Sequence, residues 1–339
     1  MSAPPDRLRL AQAFRQEAAR QGFARCGFAA VSEPPRFERF RAWLAAGRHA
    51  GMAYLATTAG VRADPRRLLP GARSLVCLSF AHEAGACVAQ DGARLARYAA
   101  GSDYHGHLRV RAESVVAAVA ESVGAEFRSR VCVDSTPLSE RAFAAAAGLG
   151  WIGKNGCLID PERGSFLLLA EILVDVDLPP DDPIGDHCGS CSLCLNACPT
   201  QAFPEPGVVD ASRCLSYWTI EHRGTLPDTV KPQLEEWLFG CDVCQEACPW
   251  NAPVLGSSAP APQPPTRAQW LEMGKGAWRS RYGKSALNRQ GRRGLQRNAA
   301  ASAGASGARP LLPVLEEAAA RPDRGLSDAA AWAVRRLAP

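Results

Sequence analysis

Apolar positions along this chain change period from one segment to the next. From Asp6 to Arg20 (DRLRLAQAFRQEAAR) apolar side chains recur every three or four residues among charged ones, which predicts an amphipathic helix. Arg109–Glu121 and the Ala-rich stretch Glu140–Ala147 predict two further helices. Ser74–Phe80 (SLVCLSF) and Phe166–Val176 (FLLLAEILVDV) are near-continuous apolar runs bounded by Pro and Gly, as buried strands are. Val131–Val133 is a short strand running into the turn Asp134-Ser135-Thr136-Pro137. Helices alternating with strands over residues 1–180 predict an α/β or α+β sheet domain, closed by Pro179-Pro180-Asp181-Asp182-Pro183. Residues 184–250 lack a regular apolar period. Asn251–Pro265 (NAPVLGSSAPAPQPP) predicts a connector without structure of its own. Within the last region, 266–339, Leu311–Leu337 regains helical spacing and predicts a helix pair or a fragment of helical repeat.

One glycine pattern is misleading. Gly148-Leu149-Gly150-Trp151-Ile152-Gly153 satisfies G-x-G-x-x-G. A dinucleotide site needs that pattern after a strand and at the start of a helix, where the pyrophosphate meets the helix N-terminus. Here it follows a helix, so the glycines predict a helix end and a tight loop. Lys154 and Asn155 stand on that glycine-flanked loop, where polar side chains can approach a ligand.

Composition adds three constraints. With 47% hydrophobic and 22% charged residues in 339, the chain can bury an ordinary globular core. It contains no apolar run of the length a transmembrane helix needs, and its charged N-terminal segment lacks the apolar core of a secretory signal. From Arg267 to the C-terminus there are fourteen Lys and Arg against five Asp and Glu; with a whole-chain charge of +5, the part before it carries about −4. Such a tail points to a polyanion such as nucleic acid, with Arg292, Arg293 and Arg297 as candidate phosphate contacts. A merely solvated Arg-rich surface is the alternative.

The cysteines carry the sharpest signal. Cys188, Cys191, Cys194 and Cys198-Pro199 form C-x₂-C-x₂-C-x₃-C-P, the run of bacterial two-cluster ferredoxins. Cys241, Cys244 and Cys248-Pro249 form a second group one thiolate short, and Cys214 can complete it. In the crossed arrangement Cys188, Cys191, Cys194 and Cys248 hold one [4Fe–4S] cluster, and Cys198, Cys214, Cys241 and Cys244 the other. Two zinc sites are the alternative use of C-x₂-C spacing. The remaining five cysteines (Cys26, Cys77, Cys87, Cys132 and Cys157) show no pairing pattern, and unpaired thiols predict a reducing cytoplasm.

Several stretches together resemble the epoxyqueuosine reductase family. They are Asp134-Ser135-Thr136-Pro137-Leu138-Ser139-Glu140-Arg141, Ala147 to Asn155, Arg97-Tyr98 leading to Asp103-Tyr104-His105, the cysteine groups with Cys214, and Arg297-Asn298-Ala299. The resemblance covers roughly residues 20 to 300. It implies an α+β protein: a nitroreductase-like mixed-sheet cobalamin domain (1–180), a dicluster ferredoxin-like domain (184–250), and a short HEAT-like helical remnant (266–339). It further implies a cytoplasmic monomer that reduces epoxyqueuosine to queuosine at the wobble position of tRNA. Electrons from an external donor would pass through both clusters to base-off cobalamin. By the same resemblance Arg62, Tyr104, His105, Lys154, Asn155 and Ser165 would contact the corrinoid, Asp103 the substrate, and Asp134 would donate the proton. The usual His-ligand signature Asp-x-His-x-x-Gly fails here, because Leu108 stands at its Gly position, so His105 is not expected to bind cobalt. A hydrogen-bonded Asp103–His105 pair is the alternative role for those two residues. Two other functions share some of these features. A cobalamin-dependent reductive dehalogenase would carry a twin-Arg export signal, which this N-terminus lacks. A bare dicluster electron carrier would leave the first 180 residues without a task.

Overall fold

The structure, a computed structural model, describes residues 6–82, 85–124, 126–257 and 261–338. Residues 258–260 of the expected connector and the two chain ends, including Pro339, lie outside the described residues. In chain order the strands are β1 (Arg25–Ala30), β2 (Ser74–Ala81), β3 (Cys87–Val88), β4 (Arg94–Leu95), β5 (Ser129–Cys132), β6 (Trp151–Ile152), β7 (Leu158–Ile159), β8 (Leu167–Val174) and β9 (Trp237–Phe239).

The two apolar runs become the central strands of a four-stranded sheet ordered β1-β2-β8-β5. Alternate side chains serve two cores. Val76, Leu78, Ala170 and Ile172 pack with Phe14 of the Arg7–Arg20 helix and with Leu108 and Val115 of the Tyr104–Val123 helix. Leu75, Cys77 and Leu173 face Leu138, Phe143 and Leu149 on the other side. Each such side chain contributes about 1.5–3 kcal/mol by leaving water. Every neighbouring pair in this sheet is antiparallel, so the expected mixed sheet is corrected; the parallel pairing among the described strands joins β4 to β9. An apolar run buried on both faces suits either direction, and the long crossovers that decide it leave no periodic trace in sequence.

Helix ends follow local chemistry. Asp6 caps the first helix by accepting from the Leu8 N–H at 3.0 Å. The second long helix begins five residues before its expected start, because Asp103 accepts from the His105 N–H and caps it there. The helix Glu140–Ala146 ends at Gly148 (φ +72°), and the chain continues into the β6–β7 hairpin rather than a helix. The G-x-G-x-x-G pattern therefore has no dinucleotide geometry.

The third core joins the regions that the sequence separates. Leu95 and Ala99 pack with Leu234 and Phe239 and with Trp270, Leu295, Leu326 and Ala333. At its centre lies the helix Gly291–Ala305, with Leu295 to Gly304 buried all round. A Cβ on Gly304 would meet the Trp332 ring at 2.6 Å, so only glycine permits this approach. The expected helix pair is present as Leu312–Ala319 and Arg324–Leu337. The connector expected over Asn251–Pro265 starts instead with a short helix, Ala252–Ser257. Among the described residues no helix is long and apolar enough to cross a membrane.

Candidate thiolate pockets and active site

Cys188, Cys191, Cys194 and Cys248 line one cavity together with Lys154, Asn155 and Trp250. Burial raises the Cys194 thiol, and the neighbouring Cys248, Cys188 and Cys191 add to the rise. The other four cysteines form a separate group. Burial pushes Cys241 up to about 12, with Cys214 and Cys198 contributing. Cys244 is raised by burial and then by Cys157, Cys241, Cys214 and Cys198. The structure thus brings Cys248 to the first run and Cys198 and Cys214 to the second. All thirteen cysteines are free. Among the described residues no three His, Cys, Asp or Glu side chains are close enough to hold a single metal ion. Four thiols spread around a common space suit the donor set of a cubane cluster.

Three expected corrinoid contacts make hydrogen bonds around the cysteine loops. Lys154 Nζ donates to the carbonyls of Gly189 (2.6 Å) and Cys191 (2.8 Å). Asn155 accepts from the Cys157 N–H at 3.1 Å and donates to the Cys244 carbonyl at 3.4 Å. The Ser165 hydroxyl donates to Gln245 (2.9 Å), and its N–H donates to Asn251 (2.6 Å). All three hold the cysteine loops against the sheet domain. The reason is topological: the 148–157 loop runs beside those loops, a proximity that spacing does not encode.

The acid–base residues converge at the end of β5. Asp134 has a left-handed backbone (φ +49°), and its N–H donates to Glu140 Oε1 at 2.6 Å. Its Oδ2 lies 2.9 Å from His105 Nε2, and His105 Nδ1 lies 2.5 Å from Asp103 Oδ1. The bond to Asp134 chiefly raises His105, burial opposes it, and Asp103 adds to it, for a value of about 9. The same bond chiefly lowers Asp134. Near neutral pH the proton therefore rests on His105, beside Asp134. Asp103, expected to touch substrate, is occupied by His105 and by the helix cap.

Aromatic and basic groups surround this pair. Tyr104 stacks on His105 at 4.1 Å, and Tyr98 meets Tyr104 edge-on at 6.0 Å. Arg62 donates to the Leu138 carbonyl (2.7 Å) and to Thr58 (3.2 Å), beside Asp134. Sequence reasoning missed Tyr54, Glu221 and Arg289. Arg289 makes two hydrogen bonds to Glu221 (2.9 and 2.7 Å), lies 5.5 Å from the Tyr54 ring, and lowers Asp134 electrostatically. These residues come from three distant segments, and no motif links them. Beside Tyr104 opens a cavity of about 620 Å³ lined by Phe80, Tyr98, Leu108 and Leu168, with His82 and Arg97 among its polar groups. Burial, aided by Arg97, lowers His82 to about 4. Its Nδ1 is buried without a hydrogen-bond partner among the described residues.

The basic tail is corrected in part. Arg297 is 2% exposed and donates to the carbonyls of Trp218 (2.9 Å), Gly224 (2.9 Å) and His222 (3.1 Å). Burial, and then Arg223, lowers its pKa to about 10. It cannot reach a phosphate; it ties the buried 291–305 helix to the cluster region. Arg292 is held by the Met273 carbonyl and Gln296, while Arg293 is exposed and 3.4 Å from Asp323. Arg297→Ala is expected to cost about 3 kcal/mol, because it orphans buried carbonyls. Thermal denaturation should show the loss, and an unchanged Tm with weakened tRNA binding would contradict it.

Comparison with known proteins fits this geometry. A family profile described as a 4Fe-4S double cluster binding domain matches residues 187–251, which defines a two-cluster iron–sulfur protein. A second profile, described as epoxyqueuosine reductase QueG, DUF1730, matches residues 62–135. An epoxyqueuosine reductase of Cellulophaga algicola is 38% identical, over 84% of this chain and 95% of its own. One from Pseudomonas aeruginosa is 35% identical, over 98% and 96%. A crystal structure of an epoxyqueuosine reductase with an epoxyqueuosine-modified tRNA-Tyr stem loop superimposes with a TM-score of 0.84 at 28% identity, covering 98% of this chain and 92% of that one. A Bacillus subtilis epoxyqueuosine reductase, its catalytic Asp loop swung out of the active site, matches with a TM-score of 0.85, 28% identity and the same coverage. The chain belongs to the epoxyqueuosine reductase family, oxidoreductases of tRNA modification.

Proposed function

We propose that this chain reduces epoxyqueuosine to queuosine in the anticodon loop of tRNA, with its proton chemistry at Asp134 and His105. The reaction consumes two electrons and two protons, breaks two C–O bonds, and yields an alkene and water. The observation that carries this reading is the 2.9 Å contact between His105 and Asp134, with Tyr104, stacked on His105, lining an aromatic cavity. When bound, the clusters supply electrons one at a time and the corrinoid supplies a strongly reducing metal centre. The crossed thiolate sets would hold the clusters. Tyr98, Tyr104 and Leu108 would line the corrinoid face, and the unpartnered His82 Nδ1 offers a donor for its polar rim. Both ring nitrogens of His105 are engaged, which supports a corrinoid bound without this histidine on cobalt.

The epoxide oxygen is a poor leaving group until protonated. The His105 Nε2 proton moves to Asp134 Oδ2 and from there to the departing oxygen, while Asp103 stabilises the imidazolium. Stacking by Tyr104 fixes the ring plane. The chain acts as a monomer fed by an external donor, in the reducing cytoplasm that its thirteen free thiols favour. Anaerobically reconstituted protein should convert epoxyqueuosine-containing tRNA to the queuosine form by mass spectrometry of its nucleosides. No conversion, together with dehalogenation of an organohalide, would replace this reading with the dehalogenase one.

Tyr54, 42% exposed, presents a ring on which a base can stack, with Arg289 5.5 Å from that ring; Arg289 and the exposed Arg293 are the phosphate contacts to test. Arg289→Ala and Arg293→Ala should each lower the slope of log K against log salt by about one unit. Slopes equal to the unmodified protein's would return both arginines to the solvated surface.

A further inference from the structure

Glu171 interrupts the apolar run of β8. It is fully buried, level with Cys77 of β2 and Cys132 of β5, and neither carboxylate oxygen has a hydrogen-bond partner of normal geometry among the described residues. Its carboxyl faces Glu140, the first residue of the 140–146 helix, and each acts on the other's charge. Glu140 is also the group that accepts the Asp134 N–H at 2.6 Å. The nearby cations are engaged elsewhere: Arg141 donates to the Gly156 carbonyl and Arg62 to Leu138 and Thr58. Two carboxyls in one apolar pocket do not both ionise. Glu171, the deeper one, keeps its proton well above the usual carboxylate range through burial and then Glu140. Burial, and then the Asp134 charge, lifts Glu140 to about 7.

We propose that Glu140 is a positioning residue whose ionised carboxylate latches the Asp134 loop, and that Glu171 is the protonated partner buried behind it. A charge-assisted N–H···O⁻ bond is about twice as strong as a neutral one. Asp134 sits at a positive φ of +49°, uncommon for a non-glycine residue though better tolerated by Asp than by most, and the bond to Glu140 holds it there. Protonating Glu140 weakens that hold. The groups facing Glu140 are Asp134, Arg141, Arg62 and Tyr104, and those facing Glu171 are Cys77 and Cys132. Of these, Asp134 raises Glu140 and Arg141 opposes it, whereas both thiols remain protonated. The latch opens as pH falls through about 7 and closes above it.

The inference rests on the proposed function only in giving the latch a catalytic purpose, and the latch itself is measurable without turnover. Hydrogen exchange of the amides in residues 133–138 is followed on the full chain with its clusters from pH 5.5 to 8.5, corrected for intrinsic rates. Protection should fall several-fold as pH drops through about 7. Glu140→Gln keeps an acceptor but cannot ionise, so its protection should not vary with pH. The same variant should flatten the neutral limb of kcat and leave KM for tRNA unchanged. Wild-type protection constant across that range, or an unaltered pH response in Glu140→Gln, overturns the latch. Full activity of Asp134→Asn would instead overturn the proton-delivery reading and leave the exchange profile standing.

Discussion

Asp134→Asn should lower conversion of epoxyqueuosine-containing tRNA by about two to four orders of magnitude, the range for lost general-acid catalysis. Asn matches Asp in size and still hydrogen-bonds His105, so tRNA and corrinoid binding should persist. What disappears is the carboxylate that receives the His105 proton at 2.9 Å. The sign of the pH dependence follows from the same pair. His105 is raised to about 9, so it carries its proton below that pH and loses it above. Turnover of the unaltered protein should therefore decline as pH rises through about 9. In Asp134→Asn the largest cause of the His105 rise is gone, so its titration, followed by NMR, should move to lower pH. Single-turnover rates with chemically reduced protein separate this step from electron supply. A variant as fast as the unaltered protein would take Asp134 out of the chemistry.

Cys248→Ala and Cys214→Ala should damage different clusters. Cys248 lines the cavity of Cys188, Cys191 and Cys194, although in sequence it is the last member of the second cysteine run. Cys214 acts on Cys241 and Cys244 in the other group. Each substitution removes one of four thiolates, so about half of the roughly eight irons expected for two [4Fe–4S] clusters should become labile. Iron analysis and EPR of anaerobically prepared protein should show one signal lost and the other retained, with the lost signal differing between the two variants. Full iron and both signals in Cys214→Ala would refute the crossed assignment. Turnover should be lost in both, because a serial electron path fails at any break.

Some of this was legible because it is local. The cap at Asp6, the apolar runs of β2 and β8, and the Ala-rich helix ending at Gly148 each follow from neighbouring residues. The cysteine runs were legible for a different reason: cluster chemistry restricts thiolate spacing so tightly that little else fits it. Charge was the poorest guide. Arg297 sits in the same basic cluster as Arg293, yet one is buried among carbonyls and the other exposed. A count of charges cannot tell which face of a helix will meet another chain segment, and the 291–305 helix is buried from Leu295 to Gly304, Arg297 included.

Helix periodicity, strand runs and C-x₂-C spacing act over a few residues, so the chain alone showed its main elements and its two cysteine runs. Where the protons reside depends on the folded arrangement. Asp134 read alone is a turn residue or an acid. Its ionisation is set by His105, 29 positions away, and its backbone is held by Glu140, whose own charge depends on burial and on Asp134 itself. Desolvation and charge–charge coupling act through space over a few ångströms, so they become readable only once the chain has folded.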